Sequence, residues 1–299
     1  MIEKYTDNCR FSFEEDLYNL LILSKNYKKI SEKELVSISL KHKQQTEFDL
    51  ISSGIILNEF NAPELFKAFE TSKKILEIND KKISIDLYLC NDLSMNAGCI
   101  FLQENDYAIY LNSGLVNLMS SEELAFVIGH ELGHLKFLHH KIIKEPKSAI
   151  SPLLKLRLFE HSRYAEISAD RCGLLCCNSS ISVAKSALLK LASGTDLRYL
   201  NPNEYSSHRQ LKIIKHLLES TTHVLCERLT HPQSQIRIFA LEAYHETLVN
   251  KNISKELSCA SDQTIYDVLS LLNPKLDDVK NNLLIYGLIQ KKLKFYLLK

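Results

Sequence analysis

Two hydrophobic periods run through the chain. Residues 12–80 repeat apolar positions at three-and-four spacing in "FEEDLYNLLILSKNYKKI" and again in "APELFKAFETSKKILEI", a spacing that predicts helices. The stretch between them, "KHKQQTEFDLISSGIILNEF", follows neither period clearly. At residue 83 the period becomes two. In "ISIDLYLC", Ile83, Ile85, Leu87 and Leu89 fall on one face and Ser84, Asp86 and Tyr88 on the other, which predicts a strand with one buried side. "AGCIFLQ" and "DYAIYLN" predict two more strands joined by a turn at Glu104, Asn105 and Asp106. Three short strands in so little chain predict a small antiparallel sheet.

From residue 120 the helical period returns. Ser120 and Glu123 have the spacing of a capping box, so a helix is expected to start there and run to about His140. "KEPKSAISP" breaks it. Further helices are expected over roughly 157–177 and 206–227, and another at "THPQSQ", where Pro232 suits a first helical turn. The last fifty residues read as helical. The expected fold is therefore α+β and mostly α: a helical region over 1–80, a core over 81–245 and a helical region over 246–299, together forming one compact unit.

Composition narrows the class. At 299 residues the chain can bury a full core. Its 37 basic and 36 acidic residues nearly cancel, which disfavours a nucleic-acid binder or a polybasic membrane anchor. No uncharged apolar run is long enough to span a membrane, and the N-terminus lacks a cationic start followed by an apolar stretch, so the expected compartment is the cytosol. The eight cysteines are scattered without C-x-x-C pairs and read as reduced thiols.

The chemistry concentrates in "FVIGHELGHLKFLHH", residues 126–140. On a helix His130 and His134 lie about 40° apart on one face, one turn above the other, so both imidazoles can reach one ion. Glu131 lies about 100° from His130. It is placed to hold a water rather than to join the same ligand face, which is the physical content of His-Glu-x-x-His. Two histidines and a carboxylate suit zinc, which lowers the pKa of a water it holds to about 7, and Glu131 would take that water's proton. Gly129 and Gly133 each precede a histidine in mid-helix. Each costs about 1 kcal/mol relative to alanine, so close backbone approach is expected there.

Two residues compete for the third ligand position. His140 has the spacing used by metzincins, but that class needs a glycine where this chain has Phe137. The helix is expected to continue, leaving His139 and His140 as surface residues near its C-terminus. Glu166 is the better candidate. In "SRYAEISADRCG" Glu166 and Asp170 are four apart on a predicted helix, so one carboxylate can bind zinc while the other orients a ligand.

On these residues the sequence resembles the HtpX and CAAX-prenyl-protease family of zinc metallopeptidases, number forty-eight in the metallopeptidase series, over about residues 84–243. "LNSGLVNLMSSEELAFVIGHELGHLKFLHH" is similar to its active-site helix and lead-in, "YAEISADRCG" to its third-ligand helix, and "LTHPQSQIRI" to a downstream segment in which a histidine precedes an arginine by six residues. The resemblance implies a zincin-like core of gluzincin type. His130, His134 and Glu166 would be zinc ligands, Glu131 the base, and Asp170 a supporting residue. His231 would face the zinc as an oxyanion donor, and Arg237 would pair with Asp170 or Glu166. The resemblance also implies that "SMNAGCIF", with Asn96, Ala97 and Gly98, is the strand beside the cleft to which a protein or peptide substrate adds. The family usually carries a bulky residue at the position of Gly98, a departure that bears on substrate preference. Many relatives have membrane helices between the two motif helices. Here Lys136, Lys144, Lys147 and Lys155 occupy that interval, as expected of a soluble member.

Rival readings are a zinc-binding chaperone-like or interaction module with little turnover, and a narrow-specificity effector protease. Cys172, Cys176 and Cys177 read as the buried face of a helix rather than a second metal site. Cys9 has no context that supports a thiol capping the metal. The tail "LIQKKLKFYLLK" reads as a packed helix with a solvated basic face.

Overall fold

The computed structural model describes residues 9–24, 40–103, 105–142, 152–199, 231–249 and 255–270, with a few isolated positions between 201 and 216 and Leu272. The helix expected over 206–227 and the C-terminal tail fall largely outside the described residues. The described helices are α1 (Ser12–Leu23), α2 (Leu40–Ser53), α3 (Pro63–Ile75), α4 (Ser113–Leu118), α5 (Ser121–Lys136), α6 (Pro152–Cys176), α7 (Ile181–Ser193), α8 (Ser234–Val249) and α9 (Lys255–Ser270). Four strands, β1 (Gly54–Ile56), β2 (Ser84–Cys90), β3 (Ala97–Gln103) and β4 (Asp106–Asn112), form one sheet. The fold is α+β and mostly α. Among the described residues no helix is long and apolar enough to cross a membrane.

The sheet is mixed, where the strand pattern predicted an antiparallel one. Its order is β1-β2-β4-β3. β3 and β4 form the expected hairpin, with Cys99 opposite Ile109, but β4 then pairs in parallel with β2, Leu87 opposite Ile109. β1 adds antiparallel to β2 inside the region expected to be helical. Alternation identifies a strand and its faces but not its neighbours, and both sheet faces prove to be covered. Leu87, Ile109 and Leu111 join the main core, while Tyr88, expected on the polar face, packs with Leu50 of α2, Leu102 and Ala108 on the opposite side.

The His-Glu-x-x-His stretch lies on α5, whose capping box is formed. Ser120 Oγ accepts from Glu123 N–H, and Glu123 accepts from Ser120 N–H at 2.7 Å. Glu123 also accepts from Lys190 Nζ at 2.7 Å, which ties the start of α5 to α7. Phe126, Ile128 and Leu132 are fully buried against Leu174 and Leu188.

α6 is the central helix, buried on every side from Leu158 to Cys176. A helix this buried can hold polar side chains only if they find partners. Arg171 does so with Asp262 of α9 and with the Tyr244 ring, 4.5 Å away. α5 and α6 approach closely at the two glycines of the motif. A Cβ at Gly133 would lie 2.9 Å from Cys172 Cβ, and one at Gly129 would lie 2.6 Å from Cys176 Cβ. The glycines let the two helix backbones meet, and this brings the Glu166 turn of α6 opposite the histidine turn of α5. A second core, built from Phe11, Tyr164, Ile167, Ile236 and Leu269, locks α1, α6, α8 and α9 together.

Candidate metal centre

His130, His134 and Glu166 bring one ligand atom each within 4.8 Å of one another. The Nε2 atoms of His130 and His134 are 3.2 Å apart, and each is 3.5 Å from a Glu166 carboxylate oxygen. Ligands of a tetrahedral zinc at about 2.0–2.1 Å would be spaced about 3.3 Å apart, so the three atoms have the size of such a site. Glu166 is 1 % exposed, and neither of its oxygens accepts a hydrogen bond. A buried carboxylate without hydrogen bonds is costly unless a cation meets it. Burial works to raise the Glu166 pKa. The neighbouring charges of His134, His130, Arg237 and His231 outweigh burial and bring it down to about 2. The residues fit a divalent metal.

Asp170 stands one turn below Glu166. Its Oδ1 lies 2.9 Å from His130 Nδ1, which fixes that ring with its proton on Nδ1 and its lone pair on Nε2. Arg237, from α8, donates to both Asp170 oxygens, from Nε at 2.8 Å and from Nη2 at 2.6 Å, and its Nη1 lies 3.7 Å from Glu166. The 3.4 Å approach of Arg237 Nη2 to His130 Nδ1 is no second hydrogen bond once that nitrogen carries a proton. Burial would raise the Asp170 pKa, but the Arg237 charge and the two sets of hydrogen bonds hold it at about 2.

The cleft over this cluster is lined by Asn96, by Ala97 and Gly98 of β3, by Glu131, by Pro232 and by His231. Glu131 is 8 % exposed. His231 sits just before α8 with its side chain 60 % exposed and its Nε2 3.3 Å from Glu166 Oε1. At Gly98 a Cβ would fall 2.6 Å from the Tyr110 ring of the paired strand, so an aromatic from β4 occupies the space beside this glycine.

Helix α5 ends four residues earlier than expected. Phe137 caps it, donating to Gly133 O at 3.1 Å, and Leu138 takes a left-handed conformation, φ 56°. The chain turns inward there without a glycine. Of the two histidines expected on the surface, His139 is buried and His140 is half-buried. His139 is 3 % exposed, and His140 stacks on Phe101 at 4.9 Å with Tyr107 at its edge. Burial depresses the His140 pKa to about 4. His140 is not in the three-residue cluster. The cysteines of α6 are buried free thiols, and Cys9 packs against Cys172, Sγ to Sγ 3.6 Å. Sequence reasoning missed Arg10, Glu14 and His161, which gather behind His139. Glu14 shows only as an acid in an amphipathic helix, so no local signal marked it.

His130, His134 and Glu166, with Asp170 and Arg237 behind them, form a cluster that could hold one metal ion at a cleft beside the β3 edge. Residues 68–154 match the model for Peptidase family M48. That segment contains His130, Glu131 and His134 and stops short of Glu166. Over 157 residues the chain is 27 % identical to the plastoglobule-localized metallopeptidase 48, chloroplastic, of Arabidopsis thaliana, covering 48 % of this chain and 44 % of that protein. It is 33 % identical over 75 residues to a Protease HtpX homolog of Streptococcus uberis, 25 % of this chain and 24 % of that one. A Protease HtpX homolog of Streptococcus gordonii is 31 % identical over 94 residues, 31 % of this chain and 30 % of that one. The chain thus spans less than half the length of each of these relatives. No solved structure matches. These matches support the M48 family for this chain.

Proposed function

We propose that this chain is a zinc-dependent endopeptidase in which His130, His134 and Glu166 hold the metal and Glu131 is the base. The observation that carries the reading is the buried Glu166 carboxylate, without hydrogen bonds and faced by two imidazole nitrogens. Zinc in such a site supplies Lewis acidity to a carbonyl and lowers the pKa of a water. Glu131, at the cleft wall, receives the proton of the attacking water and passes it to the leaving amine. His231, at the mouth of the cleft, donates a hydrogen bond to the carbonyl oxygen as the carbonyl carbon becomes tetrahedral. The β3 edge, with Ala97 and Gly98 and the preceding Asn96, takes an extended peptide by backbone hydrogen bonds, because among the described residues that strand pairs with β4 alone. Asp170 and Arg237 touch no substrate and keep His130 oriented.

Metal binding alone does not need Glu131, which favours hydrolysis over a binding module. The test combines elemental analysis of the purified chain with cleavage of unfolded casein. About one zinc per molecule is expected. Cleavage should stop with chelator, and Glu131→Gln should keep the metal and lose turnover. A chain that neither contains nor takes up zinc would end this reading, and a Glu131→Gln variant as fast as the parent would remove Glu131 as the base.

A further inference from the structure

The two histidines of the proposed metal cluster are backed differently. His130 Nδ1 meets the Asp170 carboxylate directly, at 2.9 Å. His134 Nδ1 instead faces another imidazole, Nδ1 of His139, at 2.8 Å. Two imidazole nitrogens at that distance share one proton. A metal bound through His134 Nε2 takes that nitrogen's lone pair, so the ring's proton sits on Nδ1 and His139 Nδ1 must accept it. The proton of neutral His139 is then on Nε2. That nitrogen is buried, makes no hydrogen bond of normal geometry and lies 3.5 Å from Glu14 Oε1.

Glu14 is fully buried on α1 and held from several sides. Arg10 donates to both its oxygens, at 2.7 Å and 3.0 Å, His161 Nε2 lies 3.1 Å away, and Ser168 Oγ 3.3 Å. The turn that delivers His139 is strained. Leu138 sits in the left-handed region, φ 56°, which L-residues rarely adopt. The chain keeps this conformation where it turns a ring back under His134.

We propose that His139 and Glu14 are positioning residues of the metal centre: Glu14 orients His139, and His139 fixes the tautomer and ring plane of His134. Each ligand histidine then has a carboxylate behind it, His130 directly and His134 through a second histidine. Helix α1 lies outside residues 68–154 and becomes part of the metal site. This inference rests on the zinc reading above.

The test uses the full chain and competition for zinc with a chromophoric chelator, beside unfolding of the metal-free protein. His139→Ala should weaken zinc binding about 10- to 100-fold, the usual effect of removing a group behind a ligand. His139→Asn, whose amide oxygen can stand in for Nδ1, should recover most of that loss. Glu14→Gln should also weaken zinc binding, by about tenfold. In the zinc-loaded parent, nitrogen-15 NMR of the imidazoles should find the His134 proton on Nδ1 and the His139 proton on Nε2. A merely structural role would lower the melting temperature of the Ala and Asn variants alike and leave the zinc affinity of the folded chain unmoved. Affinity of folded His139→Ala within twofold of the parent, or the opposite tautomers, would overturn the proposal. If His139→Ala does not fold, parent-like affinity in Glu14→Gln overturns it and weakened affinity there supports it. A parent that takes up no zinc removes the zinc reading first and this inference with it, a result distinct from a parent that binds zinc and a variant that binds it equally well.

Discussion

Arg237 holds Asp170 with two hydrogen bonds, 2.8 Å and 2.6 Å, across a gap of 67 residues, and joins α8 to α6 directly behind the proposed ligand His130. The Asp170 side chain is buried, 1 % exposed, and that of Arg237 is partly buried, 12 % exposed. Removing one partner of such a pair leaves the other charge without compensation. Arg237→Ala should cost about 3–5 kcal/mol in urea unfolding. Arg237→Lys should recover little, because an ammonium cannot span both carboxylate oxygens. An Arg237→Ala variant as stable as the parent would mean the pair does not join the two helices.

The same pair sets a pH dependence. Asp170 is held at about 2 against an ordinary 3.8, because the Arg237 charge and hydrogen bonds outweigh burial. At pH 3 the unfolded chain binds a proton at this residue and the folded chain does not, so stability rises with pH there. The contribution is complete above about pH 4 and is lost as pH falls through 2. Melting of the metal-free protein should show this slope, and Asp170→Asn should flatten it by roughly 2 kcal/mol between pH 5 and pH 2. Equal slopes in both proteins would remove Asp170 as its source.

Glu166 and His140 differ sharply in setting. Glu166 faces both imidazoles, whereas His140 is packed on Phe101. In a chelator competition Glu166→Ala should lose zinc affinity by more than about tenfold and His140→Ala should change it little. The reverse outcome would make His140 the third ligand.

His231 is exposed at the mouth of the cleft, 3.3 Å from Glu166 Oε1. His231→Ala should lower kcat by about ten- to a thousandfold, as loss of an oxyanion donor does, with zinc content and melting temperature nearly unchanged. A rise in activity would identify His231 as a fourth ligand that blocks the site, and would exclude it as the oxyanion donor.

Short-range order in the sequence was sufficient for much of this molecule. Period two located β2, β3 and β4, the capping box located the start of α5, and four-residue spacing put His130 with His134 and Glu166 with Asp170. Such features depend on one element's own geometry. Gly129 and Gly133 even signalled a close backbone neighbour, though not that α6 would be that neighbour. Tertiary structure decided the rest. The parallel pairing of β2 with β4, the short β1 strand and the covered second face of the sheet depend on partners that alternation does not name. The inward turn at Leu138 pays its strain through buried contacts, and no residue type there announces it. The line from His134 through His139 to Glu14 joins residues 14 and 134, which only packing brings together. Hydrogen bonds between distant positions leave no period in the chain, so the support behind the proposed metal ligands became visible only when α1, α5 and α6 were folded against one another.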